Sequence, residues 1–116
     1  MFAGGSRSFS IFPLRVVWLQ VEELDVQAPI LISVSKRRFK RAVKRNRIKR
    51  QIREAYRLNK QILLAPLTEK NRRLAIAFIY LADELMNSAL VEAKIKAALT
   101  RIVEKISTEQ TVQPTE

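Results

Sequence analysis

Residues 32–58 read ISVSKRRFKRAVKRNRIKRQIREAYRL and change their apolar pattern partway along. Their first residues complete the run ILISVS at 30–35, whose aliphatic and β-branched residues favour a strand. From about Arg41 to Leu64, mostly apolar residues recur at spacings of three and four, as on one face of an amphipathic helix. The residues of this stripe are Ile48, Ile52, Ala55, Tyr56, Asn59, Ile62 and Leu63. The stretch therefore predicts a strand and a helix joined by a short basic connector.

Two further strands are expected on the N-terminal side of this stretch. Residues 14–21, LRVVWLQV, are rich in Val, Leu and an aromatic residue, and we expect them to form a strand next to the one at 30–35. Before Pro13, the segment RSFSIF would add a short edge strand, because proline has no N–H to give to a sheet.

A strand and a helix are expected on the C-terminal side. Pro66 and the polar residues TEKNRR are predicted to end the basic helix. LAIAFIYL at 74–81 is apolar at almost every position, which favours a strand buried within the sheet. A last helix is expected from Asn87 or Ser88, either of which could cap it. The predicted order is β-β-α-β-α, with the short edge strand in front.

Length and composition limit the classes of protein to which the chain can belong. At 116 residues with 47% hydrophobic residues, the chain predicts one domain, which we assign to residues 1–107. Residues 108–116 form a polar tail that we expect to be disordered. The chain has no cysteine and no histidine, which excludes disulfides, thiolate or imidazole metal ligands, and catalysis by either residue. No apolar run is long enough to span a membrane and the N-terminus lacks a signal-peptide pattern, so we expect a cytoplasmic protein.

The positive charge is concentrated in one segment. The net charge of +11 points to a polyanionic partner. Residues 36–60 contain thirteen lysines and arginines and one acid, Glu54, whereas the rest of the chain holds nine basic and ten acidic residues. At about 100° per residue, one row of cations runs beside the apolar stripe, formed by Arg45, Lys49, Arg53 and Arg57. Asn46 and Arg50 lie next to this row, and Arg47 occupies another side.

This charge pattern has three interpretations. Like charges four residues apart repel by a few tenths of a kcal/mol per pair, and only Glu54, within reach of Arg50 and Arg57, relieves the repulsion. A bound polyanion would offset it, and the high share of arginine, which grips phosphates and stacks on bases, favours nucleic acid. A membrane-surface helix would need apolar residues free to insert, whereas here the core needs them. The remaining alternative is a helix face that is merely solvated.

The block at 32–58 resembles the protein component of bacterial ribonuclease P. The residues that carry the resemblance are Ser33, Val34, Ser35, Lys36, Ala42, Arg45, Asn46, Arg47, Lys49, Arg50, Arg53 and Glu54. The order RNRxKRxxRE after SVSK is far more specific than a polybasic run, and the match is clearest over residues 29–107. Some members of the family carry a glycine in the connector where this chain has Arg38, Phe39 and Lys40.

The resemblance implies a fold and partners. The fold is a two-layer α/β sandwich of the α+β class, in the order α-β-β-β-α-β-α with a left-handed β-α-β crossover. We expect no counterpart of its first helix here, because the chain starts at the end of that helix with FAGG at 2–5. The implied partners are the ribonuclease P RNA subunit and the single-stranded 5′ leader of precursor tRNA, with neither a membrane nor DNA.

The resemblance also implies a reaction that takes place on RNA. The holoenzyme is an endoribonuclease that removes the leader by Mg²⁺-dependent hydrolysis, with Mg²⁺ held mainly by the RNA subunit. We therefore expect no catalytic and no metal-binding residue on this chain. The alternative is a ribosomal or regulatory RNA-binding protein without a nuclease partner.

The candidate RNA-binding residues follow from the charge, from the motif and, for Trp18, from the resemblance, since the family often has a leader-contacting aromatic residue in this strand. They are Lys36, Arg41, Arg45, Asn46, Arg47, Lys49, Arg50, Arg53, Arg57 and Trp18. Trp18 shares a strand face with Val16 and Gln20, which predicts the more polar side, where a base could stack on it; core packing is the alternative. Asp83 and Glu84 could bind a metal, although two acids before a helix more often favour its positive N-terminal end.

Overall fold

A four-stranded sheet carries helices on one of its faces. The computed structural model describes residues 7–21 and 27–112, with side chains as far as residue 107. Along the chain the elements are β1 (Arg7–Ile11), β2 (Leu14–Gln20), β3 (Ile30–Val34), α1 (Ala42–Asn59), α2 (Gln61–Lys70), β4 (Leu74–Tyr80) and α3 (Ser88–Val112). The predicted α+β class and element order are confirmed, with α2 as an additional helix. Residues 1–6, which include the expected end of the family's first helix, lie outside the described residues.

The strands lie in the order β1-β2-β4-β3, so β4 is central, as its apolar sequence predicts. β1 and β2 form an antiparallel hairpin that turns at Phe12–Pro13, β2 pairs antiparallel with β4, and β4 pairs parallel with β3. The prediction that β2 and β3 are direct neighbours is wrong. β4 separates them because it is apolar on both faces, and such a strand is best buried between two others.

One face of the sheet is buried under the helices. In β2 and β4 alternate side chains point to that face and are almost fully buried: Leu14, Val16, Trp18, Leu74, Ile76, Phe78 and Tyr80. The register sets Trp18 opposite Ile76, so the two strands contribute to one layer. α1 adds Ile48 and Ile52, both 0% exposed, which confirms the predicted stripe.

The prediction that Pro66 ends the helical region is wrong. α1 ends at Asn59, and α2 begins directly after Lys60 and includes Pro66. Proline removes one backbone hydrogen bond from α2. Leu63 and Leu67 on either side of it are both fully buried, however, and their packing holds this turn of helix in place.

Asparagines mark the end of α2 and the start of α3. α2 ends at Asn71, whose φ of 57° is left-handed, a conformation that asparagine tolerates better than most residues. α3 starts after Asn87, whose Oδ1 accepts a hydrogen bond of 2.8 Å from a backbone N–H of the first turn, so this predicted N-cap is confirmed. α3 continues to Val112, and the predicted domain boundary at residue 107 therefore falls inside it. Residues 113–116 of the expected tail lie outside the described residues.

Tyr56 ties α1 to the segment before β3. Its hydroxyl donates a hydrogen bond of 2.7 Å to Ala28 O, and its ring lies against Phe78 with the centroids 6.3 Å apart. Burial raises the pKa of the Tyr56 hydroxyl to about 12, because the phenolate would lose its hydration. The folded protein therefore keeps this proton at pH values at which an unfolded chain releases it.

We predict that Tyr56→Phe lowers the free energy of unfolding by about 1–3 kcal/mol at neutral pH, because the buried Ala28 O loses its partner. Between pH 10 and 12 the Tyr56 hydroxyl stays protonated in the folded wild type but ionises in the unfolded chain, so the wild type loses stability as the pH rises. Tyr56→Phe lacks this hydroxyl, so the difference in the free energy of unfolding between the two proteins should narrow over this range. Urea unfolding of both proteins across this range measures the effect. A difference that stays constant would contradict the raised pKa.

Candidate nucleic-acid interface

α1 directs its cations to two sides of its buried stripe. One row begins on the side where Tyr56 reaches the segment before β3 and consists of Arg45, Lys49, Arg53 and Arg57. The first two side chains of the row are partly buried and the last two are exposed. On the other side Arg47 and Arg50 line a cavity of about 330 Å³ beside Ser88, where α3 begins. Arg50, predicted to lie next to the row, thus shares a cavity with Arg47, while Asn46 is exposed.

Gln51 holds this second side of α1 against the loop that precedes α3. Its Nε2 donates hydrogen bonds to Met86 O at 3.0 Å and to Ser88 Oγ at 3.1 Å. Together with the Tyr56 bond on the opposite side, these contacts fix the rotation of α1 about its axis. The directions in which the cations point are therefore set by the packing of the helix.

The basic connector between β3 and α1 is anchored to the rest of the protein. Phe39 is 5% exposed and packs against Tyr80, with ring centroids 5.9 Å apart. Its N–H donates to Ser35 O at 3.1 Å. Arg45 Nη1 donates to Phe39 O at 2.8 Å and to Lys40 O at 3.0 Å. Arg45, a predicted RNA-binding residue, thus also braces the connector.

The remaining cations of the connector are exposed. They are Lys36, Arg37, Arg38, Lys40 and Arg41. Lys40 and Arg41, together with Lys44 of α1, line a cavity of about 470 Å³ to which Asp83 and Glu84 also contribute. The predicted sites Lys36 and Arg41 are therefore accessible, and the cations of this region share a cavity with two acids.

Among the described residues, Glu54 pairs with Arg57 and not with Arg50. Its Oε2 lies 2.6 Å from Arg57 Nη2, and its Oε1 accepts a hydrogen bond of 3.0 Å from Arg57 Nε. The hydrogen bonding from Arg57 holds the pKa of the Glu54 carboxyl below its usual value, although desolvation opposes it. Glu54 thus neutralises one end of the row and leaves the charge of Arg50 available.

Trp18 lies in the core. Its side chain is 3% exposed and faces the helices together with Leu14 and Val16. The prediction that this is the more polar face is wrong, because Gln20 stands at the end of the strand and the rest of that face is apolar. A base cannot stack on a ring that is buried in this way. Core packing, the alternative interpretation, therefore describes Trp18.

Asp83 makes an ion pair with the connector. Its Oδ1 lies 2.6 Å from Arg38 Nη1, which also donates to Leu81 O. Glu84 is exposed beside it. In the part of the chain that the structure describes, no three acidic side chains come together in a way that could hold a metal ion. No described helix is both long and apolar enough to cross a membrane.

The anchoring of the connector was missed by the sequence analysis. Phe39 is the one apolar residue between Lys36 and Arg41, and a large apolar residue inside a charged loop is a signal that the loop docks on the core. Arg38 and Asp83 stand 45 positions apart, so no local pattern connects them. Only the packing of the loop after β4 against the connector brings them together.

Known proteins resemble this chain in sequence and in fold. The family model described as Ribonuclease P matches residues 4–105. The Ribonuclease P protein component of Porphyromonas gingivalis is 46% identical over 100 residues, which cover 85% of this chain and 73% of that protein. The RNase P protein from Thermotoga maritima has a similar fold, with a TM-score of 0.66 at 20% identity over 84% of each chain. The RNase P protein of Staphylococcus aureus gives a TM-score of 0.67 at 24% identity, covering 84% of this chain and 81% of that one.

At these identities the two solved structures establish the likeness of fold alone. The family model extends over most of the chain, and the Porphyromonas protein shares nearly half of its aligned residues with it. The chain belongs to the ribonuclease P protein family.

Proposed function

We propose that this chain is the RNA-binding subunit of ribonuclease P and assists a catalytic RNA in removing the 5′ leader from precursor tRNA. The observation that carries the proposal is the surface formed by α1 and the connector, where exposed cations greatly outnumber acids. The residues proposed to contact RNA are Lys36, Arg41, Arg45, Asn46, Arg47, Lys49, Arg50, Arg53 and Arg57. Trp18 is not among them because it is buried.

The proposed work of this surface is electrostatic. Each lysine or arginine that meets a phosphate releases a condensed counterion, which makes association favourable and sensitive to salt. Arginine adds two parallel hydrogen bonds to a phosphate, which orient the contact. Because α1 carries cations on two sides, it can meet phosphates of two RNA segments at once. A protein that binds both the RNA subunit and the leader of precursor tRNA needs such an arrangement.

We assign the chemistry of cleavage to the RNA subunit, with Mg²⁺ held mainly there. Within the residues that the structure describes, no three acidic side chains come together as ligands for a metal ion. The chain has no histidine or cysteine to act as a base or nucleophile. Its contribution is to raise the affinity for substrate, and its proposed compartment is the cytoplasm, where precursor tRNA is processed.

We expect the purified protein to stimulate cleavage of precursor tRNA by a bacterial ribonuclease P RNA at low Mg²⁺ concentration. Protein cations would then replace part of the charge neutralisation that Mg²⁺ otherwise supplies. Single-turnover cleavage with and without protein measures the effect, and precursor tRNA with a shortened leader is the control. Tight binding to the RNA without any stimulation would instead favour a ribosomal or regulatory RNA-binding protein.

A matched pair of variants tests the phosphate contacts of α1. Arg53→Ala should reduce the slope of log affinity against log salt by up to about 1, because an exposed cation loses one phosphate. Lys96→Ala removes a cation from a groove beside Ile11 of β1, at the opposite edge of the sheet from β3, and should leave the slope unchanged. Equal slopes for Arg53→Ala and wild type would show that Arg53 contacts no phosphate.

Arg45→Ala should behave differently from Arg53→Ala, because Arg45 holds two carbonyl groups of the connector. We expect Arg45→Ala to lower the free energy of unfolding by about 1 kcal/mol, whereas Arg53→Ala should leave it nearly unchanged. Denaturant unfolding of the two variants measures this difference. Equal stabilities would mean that the bonds from Arg45 to the connector contribute nothing to the fold.

A further inference from the structure

The connector between β3 and α1 concentrates like charges in a short loop. Its exposed cations are Lys36, Arg37, Arg38, Lys40 and Arg41. Mutual repulsion spreads such a loop over many conformations unless other contacts hold it, and each residue that must be ordered on binding reduces affinity. The contacts that hold this connector are therefore relevant to how well it binds a polyanion. They include the burial of Phe39, the bonds from Arg45 and the bonds from Arg38.

Arg38 differs from the other cations of the connector in where its guanidinium points. Its Nη1 lies between two protein oxygens, Leu81 O and Asp83 Oδ1, of which the second is 2.6 Å away. Both belong to the loop that follows β4. Tyr80 in turn donates a hydrogen bond of 2.9 Å to Glu84 O, which fixes the shape of that loop. Arg38 therefore joins the connector to a loop that is itself held in place.

Asp83 is placed unfavourably for a protein that binds RNA, if only its charge is considered. Its side chain is 81% exposed and stands in the same cavity as Lys40, Arg41 and Lys44. A carboxylate at this position repels phosphates and weakens the positive field that attracts them. By charge alone, removing Asp83 should tighten RNA binding.

We propose that Asp83 is a positioning residue for RNA binding, which acts through Arg38 to hold the connector in one conformation. The inference rests on the proposed function, since it assumes that the cations of the connector meet RNA. Asp83 itself touches no RNA. Its removal weakens the tie between Arg38 and the loop after β4, and the resulting loss of order among the cations of the connector outweighs the gain of one positive charge.

The exposure of the pair supports a local effect rather than a general one. Ion pairs between exposed side chains contribute little to the stability of a fold, and the two side chains here are 39% and 81% exposed. Phe39 and Tyr80 are buried in the core, whereas the side chains of the pair lie at its surface. What the pair can restrict is the path of the backbone on either side of Arg38.

Two neighbouring acids provide a charge-matched test. Asp83→Ala and Glu84→Ala each remove one exposed carboxylate from the same loop, but the Glu84 carboxylate makes no ion pair with any described residue. We expect Asp83→Ala to weaken binding to ribonuclease P RNA about three- to tenfold, whereas Glu84→Ala should bind equally or more tightly. Equal tightening by both variants would overturn the proposal.

Asp83→Ala is next introduced into the Arg38→Ala variant, where the expected change in RNA affinity has the opposite sign. In Arg38→Ala the tie between the connector and the loop after β4 is already broken, so Asp83→Ala should now tighten RNA binding because it removes a negative charge. A residue that merely supports the fold would weaken binding in both backgrounds, and that outcome would also overturn the proposal. Hydrogen exchange adds a direct readout: the N–H of Phe39, bonded to Ser35 O, should exchange faster in Asp83→Ala than in Glu84→Ala.

Two further measurements separate this inference from the proposed function. Wild-type protein is assayed in parallel for stimulation of precursor-tRNA cleavage and for binding to an unrelated structured RNA of equal length. One outcome is that Asp83→Ala weakens binding to both RNAs in the wild-type background and tightens it in the Arg38→Ala background, while the wild-type protein stimulates no cleavage. That result would support the positioning role of Asp83 and contradict the assignment to ribonuclease P. If the protein stimulates cleavage but Asp83→Ala has the same effect on binding in both backgrounds, the assignment to ribonuclease P is supported and the positioning role is contradicted.

Discussion

The burial of one apolar stripe on α1 is the contact on which the rest of the structure depends. The helix carries a row of cations four residues apart, and their mutual repulsion opposes the helix by about 1 kcal/mol in total. Ile48 and Ile52 are fully buried, and burial of a side chain of this size stabilises a fold by about 1.5–3 kcal/mol. Packing therefore exceeds repulsion by a clear margin. The helix can keep its charge without a bound polyanion.

The same stripe decides where the charge goes. Once Ile48 and Ile52 face the core, the cations on either side of them must emerge at two separate surfaces. Tyr56 and Gln51 then fix the rotation of the helix, the first by its bond to Ala28 and the second by its bonds to the loop before α3. A helix that turned by one residue position about its axis would bury an arginine. The geometry of the interface is thus a consequence of core packing.

Features with a local cause were predictable from the sequence, and features with a distant cause were not. The stripe of α1, the cap at Asn87 and the central place of β4 follow from patterns of a few residues. The face on which Trp18 is buried depends on which side of the sheet the helices cover, and the continuation of α2 past Pro66 depends on where two leucines are buried. The candidate site divides in the same way. Its cations were read from the motif, whereas the anchoring of the connector depends on Asp83, far along the chain.

The chemistry of the side chains explains which cations hold the protein together and which remain free. Arg38, Arg45 and Arg57 each bind protein oxygens, and all three are arginines, whose planar fork suits carbonyl and carboxylate groups. Lys36 and Lys40, by contrast, are exposed, and a flexible ammonium suits a contact that forms only on binding. Some cations of the basic segment thus hold the backbone and side chains around them in place. By the positioning role proposed for Asp83, an acid that engages one of these arginines supports the proposed binding surface, even though it lowers the charge of that surface.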